Sequence, residues 1–235
     1  IAANPRTVVL VNAGSVVDLA ATEGAAAIAQ TWYLGQETGN AVAAVLTGSV
    51  DASGRLPTTF GKKVQDWSSH LNYPGEFGEV LYGEELFMGY RGFDQQQIEP
   101  AFCFGHGLSY TSFDWSSATL STRSLSQAEL LDGADFSLSA EVTNTGDFSG
   151  YEVLQCYVQR SQAQSGRPEQ ELCGFVKVHL SPGQTATVDI PLNFRSCAVW
   201  DQTSQAWVVQ AGEIEFRLSR SSRDTRSTAT LQVTA

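Results

Sequence analysis

The 235-residue sequence is poor in basic charge: 14 Lys and Arg, only three of them lysine, face 25 Asp and Glu, for a formal net charge of −11 at pH 7. Such a surface repels phosphate backbones, so no nucleic acid partner is expected. Long apolar runs are also missing. TVVLVNAGSVVDLA meets polar and charged positions well before the ~20 residues a membrane-crossing helix needs, so a soluble chain with no membrane partner is expected. The opening IAANPRTVVLVNAG lacks the basic-then-apolar pattern of a secretory signal and reads as a mature or processed start.

Several chemistries lack their anchors. Cys103, Cys156, Cys173 and Cys197 show no CxxC spacing, and His70, His106 and His179 form no HExxH, so neither a zinc site nor any other metal is expected. Four cysteines permit two disulfides or four buried thiols. VLVNAGSV ends a strand-like run in glycine but holds neither GxGxxG nor GxxxxGK[ST], and GxSxG is absent, so no phosphate cradle, cofactor or serine triad is indicated. No Asn-x-Ser/Thr sequon occurs, yet few lysines among much Ser, Thr and Gln fit an acidic extracellular protein.

What is present suggests two domains, since 42% apolar residues over this length fill more than one average core. RTVVLVNAG reads as a buried parallel strand, the alanine-rich DLAATEGAAA as a short helix, and AIAQTWYL as a second strand. QETGNAVAAVLTG places Ala41, Val42, Val45 and Leu46 at helical spacing with Gly48 as the stop. GRLPTTF is a third strand candidate, kept to an edge by Pro57. Together these indicate an α/β layer that the chain enters partway. Residues 61 to 100 lack periodicity and read as long ordered loops held by aromatic anchors.

From about Phe113 the pattern changes to alternating strands: DFSLSAEVTNTG, YEVLQCYVQR, FVKVHL, TATVDIPL, AWVVQAG, EIEFRLS and TATLQV, with turns at residues 144 to 146 and 181 to 184. The boundary is expected near residues 108 to 120, with 116 to 126 as connecting strand or linker. FCFGHGLSYTSF lies at this change. Gly105 and Gly107 allow close backbone approach, the aromatics supply contact area, and spacing identifies no acid/base partner for His106, so a structural joint is preferred over a site-lining loop.

Two clusters are candidate sites. In LGQETGN, Gln36 and Glu37 can face a polyol, but capping of the following helix by Glu37 is the preferred reading. In GEVLYGEELFMGYRGFD, Glu79, Glu84, Glu85, Tyr90, Arg91 and Asp94 are dense enough for glycosidase carboxylates, although density alone supplies no geometry. A network pinning an aromatic loop explains them equally well. Trp67, Tyr73, Phe77, Tyr82 and Trp115 can stack on sugar faces or pack between domains.

TWYLGQETGNAVAAVLTGSVDASGRLPTTF, GYRGFDQQQIEPAFCFGHGLSYTSFDW, VTNTGDFSGYEVLQCYV, RPEQELCGFVKVHLSPGQTATVDIPL and WDQTSQAWVVQAGEIEFRLSRSS, in this order, resemble the C-terminal portion of glycoside hydrolase family 3 enzymes of the β-glucosidase type. The resemblance implies the end of an α/β sandwich domain over residues 1 to 108, then an all-β fibronectin type III-like, immunoglobulin-like sandwich over 109 to 235, with FGHGLSYT joining them. It implies part of a retaining exo-acting β-glucosidase that removes terminal β-D-glucosyl residues from short β-linked glycosides. The aspartate nucleophile and glutamate acid/base would belong to an N-terminal portion or chain, leaving this chain no catalytic residue and requiring no cofactor. Residues 73 to 94 would approach the substrate-site rim, with Tyr73, Glu84, Glu85, Tyr90 and Arg91 as candidates. A β-xylosidase or related family member, and a non-catalytic carbohydrate-binding or interaction module, are the alternatives. An α/β sheet without its neighbours is further expected to expose an edge and an apolar layer.

Overall fold

A computed structural model describes residues 1–160 and 166–235. Two strands, β1 (Val8–Val11) and β2 (Ala27–Gln30), pair in parallel with Val8 opposite Ala27 and Val11 opposite Gln30. The crossover between them holds one 3-10 turn, Ala20–Thr22, instead of the helix suggested by its alanines. Asp18 draws the Ala20 N–H to its carboxylate at 2.8 Å and Gly24 turns to φ +80°, so the chain leaves helical geometry within one turn. α1 (Thr38–Leu46) forms where the spacing placed it, and Gly48 follows at φ +75° with its N–H on the Val45 carbonyl at 3.0 Å.

β1 is not buried as its run of valines suggests. Val8 and Leu10 are 46% and 42% exposed, and no residue of α1 is buried. The pattern is that of a strand covered on both faces, but among the described residues no second layer covers it. GRLPTTF also fails to form a strand. Phe60 makes an isolated bridge to Phe102, and Pro57 has no N–H with which to extend a ladder.

Residues 61 to 100 are mostly irregular, with 3-10 turns at Val64–Asp66 and Ser68–Leu71 and one short helix, α2 (Tyr90–Gln95). Phe60 and Phe93 are fully buried, and Trp67 meets Phe93 edge-on at 6.2 Å. These rings replace regular secondary structure as the organising contacts.

The second part is a sandwich. β3 (Phe113–Trp115), β4 (Thr119–Leu120) and β5 (Ser124–Ser126) lead to α3 (Gln127–Leu131); then come β6 (Phe136–Asn144), β7 (Gly150–Arg160), β8 (Glu171–Leu180) and β9 (Thr185–Leu192). α4 (Phe194–Cys197) and the hairpin of β10 (Val199–Asp201) and β11 (Ala206–Val208) precede β12 (Gly212–Ser221) and β13 (Asp224–Thr234). One sheet runs β5-β13-β12-β7-β8; in the other, β6 pairs with β3, β4 and β9. The serine-rich 116 to 126 segment therefore contributes strands to both sheets.

Period-two alternation builds the core: Phe136, Leu138, Ala140 and Val142 of β6 face Leu154, Cys156 and Val158 of β7 together with Phe216, Leu218, Leu231 and Val233. Each large aliphatic or aromatic side chain hidden this way stabilises by about 1.5–3 kcal/mol. β7 is unusual because its other face is covered too: Val153, Gln155 and Tyr157 are buried beneath the preceding segment.

That second cover is the joint. Leu56 donates to the His106 carbonyl at 2.8 Å and Gly105 donates to the Leu56 carbonyl at 2.8 Å. Gln155 reaches across, its amide nitrogen donating to the carbonyls of Gly105 (3.1 Å) and Arg220 (2.6 Å), while Tyr157 donates its hydroxyl to the Gln155 oxygen at 2.7 Å. Ser222 donates to the Phe104 carbonyl at 3.0 Å. Gly105 has φ +80°, and a Cβ there would lie 2.1 Å from the Gln155 amide oxygen.

Gly105→Ala is therefore expected to combine left-handed backbone strain with displacement of a buried amide, losing roughly 2–4 kcal/mol. Gly133→Ala, at φ +94° with open space around it, isolates the strain alone at about 1–2 kcal/mol. Equilibrium urea unfolding of both variants checks the difference.

Candidate functional site

The exposed irregular lobe between Leu71 and Met88 holds most of the predicted rim. Glu76 and Glu79 bridge each other through paired backbone hydrogen bonds of 3.0 Å, making a tight hairpin with Phe77 at its tip. Gly75 is required under it, since a Cβ there would meet the Glu79 carbonyl oxygen at 2.0 Å. Phe77 is fully exposed, and Tyr73 and Tyr82 are 77% and 78% exposed. Glu84 accepts from the Asn72 side-chain amide at 2.8 Å, tying the segment after the hairpin to the segment before it. Ser68 donates to the Phe87 carbonyl at 2.7 Å and closes the lobe's base. Tyr73, Glu84 and Glu85 thus share one lobe, and Glu85 stands exposed at φ +48°.

Tyr90 and Arg91 are directed elsewhere. The Tyr90 hydroxyl accepts from the Leu172 backbone N–H at 2.8 Å, and its ring lies 5.0 Å from Phe104 and 5.8 Å from Tyr157. Burial raises the Tyr90 pKa, so the phenol stays neutral. Arg91 pairs with Glu171 at 3.4 Å, and Arg160 holds the other Glu171 oxygen at 2.8 Å. Asp94 pairs with Arg223 at 2.9 Å and accepts from Gln170 at 3.1 Å; burial still holds its carboxyl above the usual range. The structure thus splits the GEVLYGEELFMGYRGFD cluster: its first half is surface and its second half fastens α2 to β8 and the sandwich.

The other candidates are also accounted for. Glu37 occupies the N-cap position of α1, but its carboxylate accepts from the Asn40 side chain at 2.6 Å and makes no bond to the helix backbone. Gln36 is exposed beside it. Trp67 packs on Phe93, and Trp115 packs on the sandwich core with the Arg220 guanidinium 5.3 Å from its ring. His106 stacks on Phe102 at 5.5 Å, and burial, then the nearby Arg55 charge, lowers its pKa. It is a neutral packing ring. Among the described residues no group of three or more His, Cys, Asp or Glu is arranged to hold a metal.

Sequence reasoning missed the polar clamp between the two parts. Glu152, 3% exposed, pairs with Arg55 at 2.6 Å and Arg220 at 3.4 Å. Asp51 accepts from Ser109 Oγ and Tyr110 N, both at 2.8 Å, and from Tyr151 N at 3.2 Å. The bonded residues lie 58 to 100 positions apart, so local motifs carry no trace of them. The available signal was the acidic Glu152 and amidic Gln155 inside an otherwise apolar strand, which require buried partners.

A model of the glycosyl hydrolase family 3 C-terminal domain matches residues 1–110, and a model of the fibronectin type III-like domain matches residues 152–222. The chain is 40% identical over 233 residues to a beta-glucosidase of Kluyveromyces marxianus, covering 98% of this chain and 26% of that protein. It is 38% identical to a probable beta-glucosidase I of Aspergillus terreus over 95% of the chain and 27% of that relative. Superposition on the Kluyveromyces marxianus beta-glucosidase bound to glucose gives a TM-score of 0.91 at 38% identity, covering all of this chain and 27% of that one. The GH3 beta-glucosidase of Bifidobacterium adolescentis gives 0.91 at 36% identity, covering 99% and 33%. The chain thus spans about a quarter of the length of these curated relatives.

The lowered pKa of His106 sets a pH dependence. Its neutral form is favoured by folding, so this contribution is complete above the unfolded value of about 6.5 and is lost as pH falls towards the lower folded value. The thermal midpoint of the chain is expected to drop on acidification from pH 7 through this window, and to drop less in His106→Asn. Asp94 is shifted the opposite way and acts in the carboxylate range, where its contribution is lost as pH rises. A midpoint series in half-unit pH steps separates the two.

Proposed function

Because the chain belongs to glycoside hydrolase family 3, with that family's C-terminal domain ahead of a fibronectin type III-like domain, we propose that it is the C-terminal part of a retaining, exo-acting β-glucosidase. The observation that carries this reading is the match along nearly the whole chain to β-glucosidases about four times its length. Its substrates are short glycosides with a terminal β-linked glucosyl residue. Retention requires two carboxyl groups about 5–5.5 Å apart, one attacking the anomeric carbon and one protonating the leaving oxygen and then activating water. The carboxylates with resolved partners here are engaged otherwise: Asp94 by Arg223, Glu152 by two arginines and Glu84 by Asn72. We assign the nucleophile and the acid/base to the remainder of the enzyme. The exposed apolar side chains of β1 and the uncovered α1 are the surfaces on which we place that remainder.

Within this reading the Tyr73, Phe77, Tyr82 and Glu84–Glu85 lobe is a sugar-facing rim, because rings give sugar rings an apolar platform while carboxylates accept from hydroxyls. Tyr90 and Arg91 act behind it by anchoring α2. An extracellular setting is part of the proposal, supported by the acidic, lysine-poor composition.

Two experiments test these roles in the complete enzyme. A 2-deoxy-2-fluoro-β-glucoside, which traps the glycosyl-enzyme, should label a peptide outside residues 1–235; a label on Glu76, Glu79, Glu84 or Glu85 would overturn the assignment. Tyr73→Ala and Phe77→Ala should each raise KM for glucosyl oligosaccharides by about 3–10-fold, as expected for a ring contact of about 0.5–1.5 kcal/mol. Turnover of a short aryl glucoside should remain within about two-fold. Unchanged KM values would remove the lobe from the rim.

A further inference from the structure

The four cysteines are not used by the proposed glycosidase chemistry, and two of them are placed unusually. Cys156 on β7 lies opposite Gly174 on β8, whereas Tyr157 lies opposite Leu172, so Cys173 is the extra residue of a β-bulge. The bulge turns Cys173 towards the core, where its Sγ lies 3.5 Å from Cys156 Sγ and 3.3 Å from the Cys156 carbonyl oxygen. Gly174 makes room at this point: a Cβ there would approach the Ile190 side chain to 2.7 Å. Without the bulge, Cys173 would take the opposite face from Cys156 and the two thiols could not meet.

We infer that Cys156 and Cys173 are a disulfide site, closed by exchange with a small-molecule disulfide to form a covalent staple between β7 and β8. The two sulfurs need approach by only about 1.5 Å to reach bonding distance, a movement within reach of their χ1 rotations. Cys173 is partly exposed and Cys156 is buried, which fixes the order of events. The Cys173 thiolate attacks the external disulfide, forming a mixed disulfide and releasing one thiol. Cys156, giving up its proton, then displaces the second thiol and completes the Cys156–Cys173 bond. The protein loses two protons and two electrons, and the external disulfide takes them up to become two thiols. The hydrogen bond with Cys173, reinforced by burial, holds the Cys156 thiol well above its usual range, so Cys156 is not the thiol that opens the exchange. Cys197 is held back by burial, which pushes it up to about 12, and Cys103 is occupied with Ser221 at 3.3 Å.

The staple has a structural consequence. Tyr157 and Leu172 lie directly beside the bulge and both receive the Tyr90 side of the first domain. Fixing β7 against β8 therefore fixes the floor on which α2 rests.

The test is equilibration of the folded protein with oxidised glutathione, alkylation of remaining thiols and peptide mapping by mass spectrometry. A cross-link joining the Cys156 and Cys173 peptides is expected, with Cys103 and Cys197 alkylated and a thermal midpoint raised by roughly 5–10 °C. Cys156→Ser should stop at a glutathione adduct on Cys173. Four alkylated thiols after equilibration, a persistent Cys173 adduct in the unsubstituted protein, or a cross-link to Cys197 would each overturn the proposal. The mapping of the unsubstituted protein decides the matter even where the serine variant does not fold.

Discussion

Burial of β7 on both faces is the constraint on which the rest depends. One face of this strand, Leu154, Cys156 and Val158, closes the sandwich core, and the other, Val153, Gln155 and Tyr157, lies under the first domain. A strand so placed leaves no solvent for its polar side chains, so Gln155 and Glu152 must find protein partners. Glu152 finds one from each side, Arg55 before the joint and Arg220 within the sandwich. The net stabilisation from such a buried pair is small, because desolvation offsets most of the attraction. Its effect is selective: a shift of one domain on the other would strand a carboxylate and two guanidiniums away from water, so only one docking survives.

The same constraint explains the composition of the joint. Gly105 and Gly107 are needed because the backbone passes so close to Gln155 and to the Gly54 carbonyl that a Cβ would fall 2.1 and 2.3 Å from them. Of the aromatic residues around them, Phe104 packs on Tyr90, Phe102 on His106, and Tyr110 donates its hydroxyl to the Val45 carbonyl. His106 belongs to this packing; burial and Arg55 favour the neutral ring. A histidine between glycines at a domain boundary thus owes its place to shape and to a neutral ring.

Legibility in the sequence follows the range of the interactions. The sandwich strands were readable because alternation is local: Phe136, Leu138, Ala140 and Val142 point inward whatever their partners are. α1 was readable for the same reason, with Gly48 marking its end. The VVLV run of β1 was read correctly as a strand and wrongly as buried: its pattern is that of a strand covered on both faces, and among the described residues no layer covers it. DLAATEGAAA failed because alanine propensity is weak against an aspartate turn and a left-handed glycine. The 73 to 94 cluster was half legible. Density grouped Tyr73, Glu84 and Glu85 with Tyr90 and Arg91, but the Leu172 amide and Glu171, more than 75 residues away, claim the last two.

These splits bear on what an exposed lobe and its base can each contribute. A retaining glycosidase needs its carboxylates fixed to within a fraction of an ångström, and a carboxylate on an exposed hairpin such as Glu76–Glu79 lacks the surrounding shell that fixes position. What an exposed lobe can do is offer area, through Tyr73, Phe77 and Tyr82, and it can do so only if its base is rigid. The base is α2, whose Tyr90 and Arg91 are bolted to β8 while Asp94 reaches Arg223 just after β12. The fibronectin-like domain is therefore more than an appendage in this arrangement. By holding α2 it sets where the aromatic lobe stands, so a change in the β7–β8 floor would be felt at the lobe through α2.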